Sequence, residues 1–256
     1  MERPHLATRR EMLLASGVLF AWAYMPSLAQ AEGRDPRFLV IVLHGALDGL
    51  ATVAPVGDPN WVRLRVEERN ALAAIASGGL DEIGHGPKPV GPLLAYFTEA
   101  ASGAARFMAR PDGPRAGALA FDGWDTHANE GAAHGRLSVL LGALDGALAA
   151  IEGGMSAAWK ETVVAVITEF GRTARINGTE GTDHGTATVA LLAGAALKGG
   201  RVIADWPGVA DAALYQGRDL KPTADLRAVM KGTFCATTCA PTNSHWRDTS
   251  SLIVRA

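Results

Sequence analysis

The feature that most restricts the fold is an almost unbroken apolar run at residues 37–44, RFLVIVLH, which ends at Gly45. The run is rich in β-branched residues and lacks the alternation of polar and apolar side chains that marks a strand with one solvated face. A continuous apolar strand needs cover on both of its faces, which is the situation in parallel sheets. We therefore predict an α/β fold with a mostly parallel central sheet flanked by helices.

Other segments continue the alternation of strands and helices. The chain has 256 residues, of which 48% are hydrophobic and 20% charged, and this suits one large domain with a substantial core. The net charge of −2 gives no electrostatic reason to expect nucleic acid as a partner. Strands are predicted at residues 116–121, 162–168 and 188–193, and helices at 68–77, 92–109, 133–152 and 223–231.

The N-terminus has the pattern of an export signal. The paired arginines Arg9 and Arg10 precede an apolar stretch that extends to Ala23, and residues 29–31 (AQA) have the small-x-small pattern of a cleavage site. The stretch is shorter than the roughly 20 apolar residues that a membrane span needs. We therefore predict a twin-arginine-type signal at 1–31, a single domain at 32–256 and a periplasmic location, with an uncleaved N-terminal anchor as the alternative.

The chain contains two cysteines, Cys235 and Cys239. In an oxidising compartment they could form a small-loop disulfide, whereas their four-residue spacing is often strained in such a bridge. The sequence leaves both states open.

An acid and a histidine stand side by side at Asp183 and His184, within the glycine-flanked segment EGTDHGT. Glycine permits sharp bends and close backbone approach, so this pair could direct two unlike ligands at one divalent cation. The alternative is a turn in which the aspartate caps its own backbone.

Acids and histidines also follow the predicted strands at their carboxyl ends. In an open parallel sheet these ends share one edge, which is where ligands bind. Carboxylates gathered there would raise one another's pKa unless a cation neutralised them, and the mixed oxygen and nitrogen donors suit Zn²⁺, Mn²⁺ or Mg²⁺. The predicted metal ligands are Asp48, Asp125, His127, Asp183 and His184, with Glu169 as a further ligand or a partner behind the ligands.

Several of these residues have other interpretations. Asp48 could cap the following helix, and Asp125 could simply hydrogen-bond to His127. Arg172 could bind an anionic substrate group through two parallel hydrogen bonds, or it could pair with Glu169.

The sequence resembles a family of exported bacterial proteins known as domain of unknown function 1501. The resemblance rests on the segments VIVLHGALDGLATVAPVGDPNW, GWDTHANE, ITEFGRTARINGTEGTDHGT, KGGRVIADWPG and GRDLKPTADLRAVMKG, which occur in this order. That family is similar to the alkaline phosphatase and sulfatase superfamily. The resemblance implies an α/β fold, a site for one or two metal ions, and hydrolysis of small phosphate or sulfate esters.

Carried over by motif, Asp183, His184 and Gly185 are similar to the Asp-His-Gly metal element of that superfamily. Asp48 is similar to its first-strand aspartate, and Asp125 with His127 to the ligands of the other metal. The region between residues 61 and 123 is shorter than in the family and has no equivalent of its middle motif, so no catalytic nucleophile is assigned. A non-catalytic or degenerate envelope protein that keeps the fold is the alternative function.

Overall fold

A computed structural model describes residues 18–21, 35–66, 91–131 and 134–238, with side chains for those between 35 and 233. The predicted helix at 68–77, most of the predicted export signal and the side chains of both cysteines lie outside the described residues.

Seven strands and five helices are described here, together with 3₁₀ turns at Ser156–Glu161 and Asp211–Ala213. The strands are β1 (Val18–Ala21), β2 (Arg37–His44), β3 (Ala116–Asp122), β4 (Thr162–Ile167), β5 (Gly171–Arg172), β6 (His184–Gly185) and β7 (Leu191–Ala193). The helices are α1 (Gly49–Thr52), α2 (Pro59–Leu64), α3 (Pro92–Met108), α4 (Arg136–Met155) and α5 (Leu226–Thr238).

The central sheet has five strands in the order β1-β3-β2-β4-β7. β2 pairs in parallel with β3 and with β4, and β1 and β7 add antiparallel edges. The prediction of an α/β fold with a mostly parallel sheet flanked by helices is thus confirmed, and the two antiparallel edges make the sheet mixed. β1 lies within the segment that the sequence predicts to be an export signal.

The predicted strand at 188–193 differs from the observed one. Only Leu191–Ala193 forms a strand, β7, and it is antiparallel to β4. Thr188 is instead held by a hydrogen bond from its Oγ1 to the backbone oxygen of Leu47 at 2.6 Å. A side-chain bond to a distant loop removes this residue from the strand, and residue periodicity does not reveal such a contact.

The main core lies between the sheet and helices α3 and α4. β2 contributes fully buried side chains such as Ile41, and α4 contributes Leu140, Leu144 and Ile151. By length and composition alone, the stretch Arg136–Glu161 could cross a membrane, with a mean hydropathy of 1.4. Its buried residues, such as Leu144 and Ile151, nevertheless belong to the main core, as in the amphipathic helices of α/β domains.

The parallel register brings the carboxyl ends of three strands to one edge. His44 is paired with Asp122 across β2 and β3, and Val42 is paired with Ile167 across β2 and β4. The segments that follow these strands therefore leave the sheet side by side. This edge carries the polar residues that the sequence analysis selected.

An aromatic pair fixes helix α3 to the sheet. The rings of Phe97 and Phe121 stack with centroids 4.0 Å apart and an interplanar angle of 9°, and both side chains are fully buried. We expect Phe121→Ala to lower the free energy of unfolding by about 3–5 kcal/mol, because it leaves a cavity in the core.

Denaturant unfolding of the purified chain measures this effect. Tyr215→Ala is the control, since the Tyr215 side chain is 42% exposed and its loss is expected to cost less than about 1 kcal/mol. Equal costs for the two variants would contradict the packing described for Phe121.

Candidate metal centre

Two loops beyond the edge of the sheet build the candidate site. The short strands β5 and β6 form an antiparallel pair in which Arg172 lies opposite His184. The segment before β6 bonds to the loop after β3, with Thr182 N donating to the Thr126 oxygen at 3.1 Å. A side chain at Gly181 would meet the backbone oxygen of His127 at 2.4 Å, so glycine is needed there for close approach.

Three nitrogen atoms converge on one carboxylate oxygen, Asp125 Oδ1. Nη1 of Arg172 is 2.8 Å away, and Nε2 of His127 and Nε2 of His184 are each 3.1 Å away. One oxygen has two lone pairs and cannot accept three good hydrogen bonds at once. A cation placed between the imidazoles and the carboxylate would be a better partner for the two imidazole nitrogens than the single oxygen that they now share.

His127 is oriented by a second carboxylate. Its Nδ1 lies 3.1 Å from Oδ1 of Asp183, and that oxygen also accepts a hydrogen bond from Nδ2 of Asn177 at 3.1 Å. A proton on Nδ1 that is donated to Asp183 leaves the lone pair of Nε2 free to bind a metal. A carboxylate behind a histidine in this way is the usual support of a metal-binding imidazole.

Ring contacts fix His184. Its ring centroid lies 4.6 Å from that of Phe170 and 4.7 Å from that of His127. The side chains of Asp125, His127 and His184 are between 44% and 54% exposed, so solvent or a ligand can reach the group.

The donor atoms of Asp125, His127 and His184 lie within 4.8 Å of one another, which makes the three a group that could hold a metal ion. One carboxylate oxygen and two imidazole nitrogens form a donor set that suits Zn²⁺. Asp183 faces the far nitrogen of His127, so its place is behind the ligand rather than in the group.

The charges at the site favour ionised carboxylates. Partial burial acts to raise the pKa of Asp125, but hydrogen bonds from Arg172 and His184 outweigh it and hold that pKa below its usual value. Hydrogen bonds from Asn177 and His127 likewise lower the pKa of Asp183. Asp125 and Asp183 are therefore negatively charged at neutral pH, as the binding of a cation requires.

Arg172 lies on the buried side of this group of three residues. The sequence predicts that Arg172 binds substrate, but its side chain faces protein atoms. Its side chain is 0% exposed, and it is paired with Asp125 rather than with Glu169. Nε donates to Oγ1 of Thr182 at 3.1 Å, and Nη2 donates to Oγ1 of Thr126 at 3.3 Å. Because its donors are committed to protein atoms, Arg172 holds the aspartate in place instead of facing a ligand.

Glu130 lies further below, and it is 2% exposed. Its Oε2 accepts a hydrogen bond from Oγ1 of Thr182 at 2.6 Å, while Oε1 has no partner among the described residues. Burial, with the nearby charge of Asp48, raises the pKa of Glu130 to about 7, against the opposing effect of hydrogen bonds from Thr182 and Thr126.

Asp48, a predicted ligand, does not join the group. Its Oδ1 accepts hydrogen bonds from the backbone nitrogens of Leu50 and Ala51 at 2.9 and 3.1 Å, so it caps helix α1. Its Oδ2 is 2.6 Å from Nη1 of Arg65, and both side chains are almost fully buried. The cap and the buried ion pair occupy both oxygens, which is the alternative interpretation considered for this residue.

Glu169 is also separate from the group. Its Oε1 is 3.2 Å from Nε2 of His44, and Oε2 accepts a hydrogen bond from the backbone nitrogen of Gly45 at 3.3 Å. Nδ1 of His44 faces Asp122 at 3.1 Å. Because the two carboxylates lie on opposite sides of one imidazole, these three side chains cannot bind one cation together.

The residues that support the site from within were not predicted from the sequence. Thr182 directly precedes the predicted Asp183, and Glu130 ends the GWDTHANE segment, so proximity to a motif was the available signal for both. Arg65 had no such signal, because it reaches Asp48 from 17 residues away in sequence.

The fold and the site define an α/β protein with a candidate metal centre at the carboxyl edge of its sheet. The model of a family described as "Protein of unknown function (DUF1501)" matches residues 93–234, which is more than half of the chain. The chain belongs to this family. Comparison with curated proteins and with solved structures finds no match.

The buried pair between Asp48 and Arg65 gives a stability prediction. Asp48→Ala should lower the free energy of unfolding by about 3–5 kcal/mol, because it leaves the Arg65 charge buried without its carboxylate. Denaturant unfolding measures this, with Asp112→Ala as the control, since Asp112 pairs with Arg110 at the surface. A loss no greater than that of the surface variant would contradict the role given to the pair.

Proposed function

We propose that Asp125, His127 and His184 bind a divalent metal ion, zinc in the first place, and that the protein hydrolyses small phosphate or sulfate monoesters. The observation that carries the proposal is the convergence of their three donor atoms within 4.8 Å. Three protein ligands with an exposed remaining side are typical of a catalytic rather than a structural zinc site.

A bound divalent ion would polarise an ester oxygen as a Lewis acid and lower the pKa of a coordinated water. The protein residues supply the rest. Asp183 keeps the proton of His127 on Nδ1, and Arg172 fixes the carboxylate of Asp125. The half-exposed ligand side chains leave room for an anionic ester to approach from solvent.

The neighbouring hydroxyls support a water nucleophile rather than a covalent one. Thr126 and Thr182 are buried and hydrogen-bonded to Arg172, so neither points a free hydroxyl at the exposed side of the group. The absence of a free hydroxyl on either threonine also favours a second candidate function. In that function the metal serves stability or the binding of an envelope partner, and no ester is cleaved.

We also propose that the protein is exported to the periplasm. The paired arginines, the short apolar stretch and the small-x-small pattern at residues 29–31 support this. Export by the twin-arginine route would allow the metal to be acquired by a folded chain before transport.

Zinc affinity of the purified chain, measured by titration calorimetry after chelation, tests the metal site. His184→Ala should weaken zinc binding by more than about 100-fold, since loss of a ligand costs more than the 10–100-fold typical of residues behind the ligands. Asp183→Asn should fall within about that 10–100-fold range. The matched control is His134→Ala, because His134 is exposed and outside the group.

Turnover of an aryl phosphate and an aryl sulfate by the same samples separates the two candidate functions. Hydrolysis that requires zinc and is lost in His184→Ala would support the hydrolase. Zinc binding without turnover of either ester would support the non-catalytic role. If His134→Ala and His184→Ala bind zinc equally well, the assignment of the ligands is wrong.

Export is tested in cells by fractionation. Replacement of Arg9 and Arg10 by lysine should keep the protein in the cytoplasm, because the twin-arginine route depends on the arginine pair. Arg3→Lys is the matched control and should leave export unchanged. Periplasmic protein in both variants would contradict the proposal.

A further inference from the structure

We propose that Glu130 is a positioning residue of the candidate metal centre, acting on the Asp125 carboxylate through the hydroxyl of Thr182 and through Arg172. This inference rests on the proposed metal-binding function and names a residue of the same site that does not touch the ion. It depends on a continuous set of buried hydrogen bonds.

The connection begins at the guanidinium of Arg172. Each part of this planar group is used: Nη1 donates to Asp125 at 2.8 Å, Nε to Thr182 at 3.1 Å and Nη2 to Thr126 at 3.3 Å. A guanidinium held on three sides has one orientation, and that orientation presents the Asp125 carboxylate to the two imidazoles.

Thr182 connects the guanidinium to Glu130. It donates its hydroxyl proton to Oε2 of Glu130 at 2.6 Å. The same hydroxyl accepts from Nε of Arg172, so the acceptor below decides the direction of this hydroxyl. Removal of that acceptor would free the Thr182 hydroxyl and weaken its hold on the guanidinium.

Packing alone does not require an ionisable group at this position. A carboxyl that is 2% exposed, with one oxygen lacking a partner among the described residues, is costly to bury in its charged form. The charges that face it are those of Asp48, Arg65 and, through Thr182, Arg172. Asp48 is paired with Arg65 and Asp125 with Arg172, so a cation bound at Asp125 would add positive charge near an ionised Glu130.

The direction of the pH effect follows from this balance. The pKa of Glu130 is raised to about 7, so the carboxyl is mostly protonated below that pH and mostly ionised above it. A dication at Asp125 favours the ionised form, and the ionised form in turn favours the dication. Glu130 should therefore strengthen metal binding at high pH and contribute little at low pH.

Zinc binding to the full chain, measured at about pH 6 and about pH 8 on either side of this pKa, tests the inference. Glu130→Gln keeps the shape and an acceptor for the Thr182 hydroxyl but cannot ionise. We expect it to bind zinc about tenfold more weakly than the unmodified chain at the higher pH and about equally at the lower pH. The metal ligands are the same in both proteins, so the ratio of affinities isolates Glu130.

Thr182 provides a second test that does not depend on Glu130→Gln folding. Thr182→Val removes the bridging hydroxyl and should weaken zinc binding about tenfold, while Thr182→Ser should restore it. Thr162→Val is the matched control, since Thr162 is also buried and donates its hydroxyl to a backbone oxygen, that of Ala158, but lies at the opposite end of β4.

The outcomes are distinguishable. The role of Glu130 would be overturned, with the metal site left intact, by either of two results. The first is an affinity ratio between the unmodified chain and Glu130→Gln that is the same at both pH values. The second is a Thr182→Val variant that binds zinc as tightly as Thr162→Val. An unmodified chain that binds no zinc at either pH would overturn the proposed metal site and this inference with it.

Discussion

The candidate centre depends on the burial of one charge, the guanidinium of Arg172. A cation that is withdrawn from water must be paired and hydrogen-bonded, or the fold loses several kcal/mol. This requirement is met by Asp125 and by two threonine hydroxyls, which belong to loops far apart in sequence. Arg172 therefore connects the loop after β3 to the pair β5–β6 on the buried side of the site, and the half-exposed imidazoles lie on the opposite side.

The side chains of the site form two layers, one half-exposed and one buried. The upper layer consists of half-exposed side chains whose contacts a cation would improve, because three nitrogens crowd one oxygen of Asp125. The lower layer is buried and contains a second ion pair, between Asp48 and Arg65. Glu130 lies between the two pairs, where burial and the charge of Asp48 work against its ionisation. The two buried pairs connect segments that are distant in sequence, whereas a buried ion pair by itself is weak evidence for stability.

The order of strands and helices was predictable because hydrophobic periodicity is a local property. β2, β3 and β4 occur where continuous apolar runs predict them, and α3 and α4 where the helical spacing does. The rule that parallel strands share their carboxyl ends then placed Asp125 and His127 at this edge, whereas His184 reaches it through the antiparallel pair β5–β6. The same rule also grouped Asp48 with these residues, whereas its carboxylate caps helix α1 and pairs with Arg65, because a residue that starts a helix can turn its carboxylate to the backbone.

The sequence by itself determined the fold class and the residue types available at the sheet edge. These depend on apolar patterning and on the few residues that follow each strand. Only the tertiary structure decided the roles: which acid faces a histidine, which caps a helix, and which lies buried below. Those roles depend on partners such as Arg65 and Arg172 that are distant in sequence, and the direction of a side chain follows from the charges and donors that folding places around it.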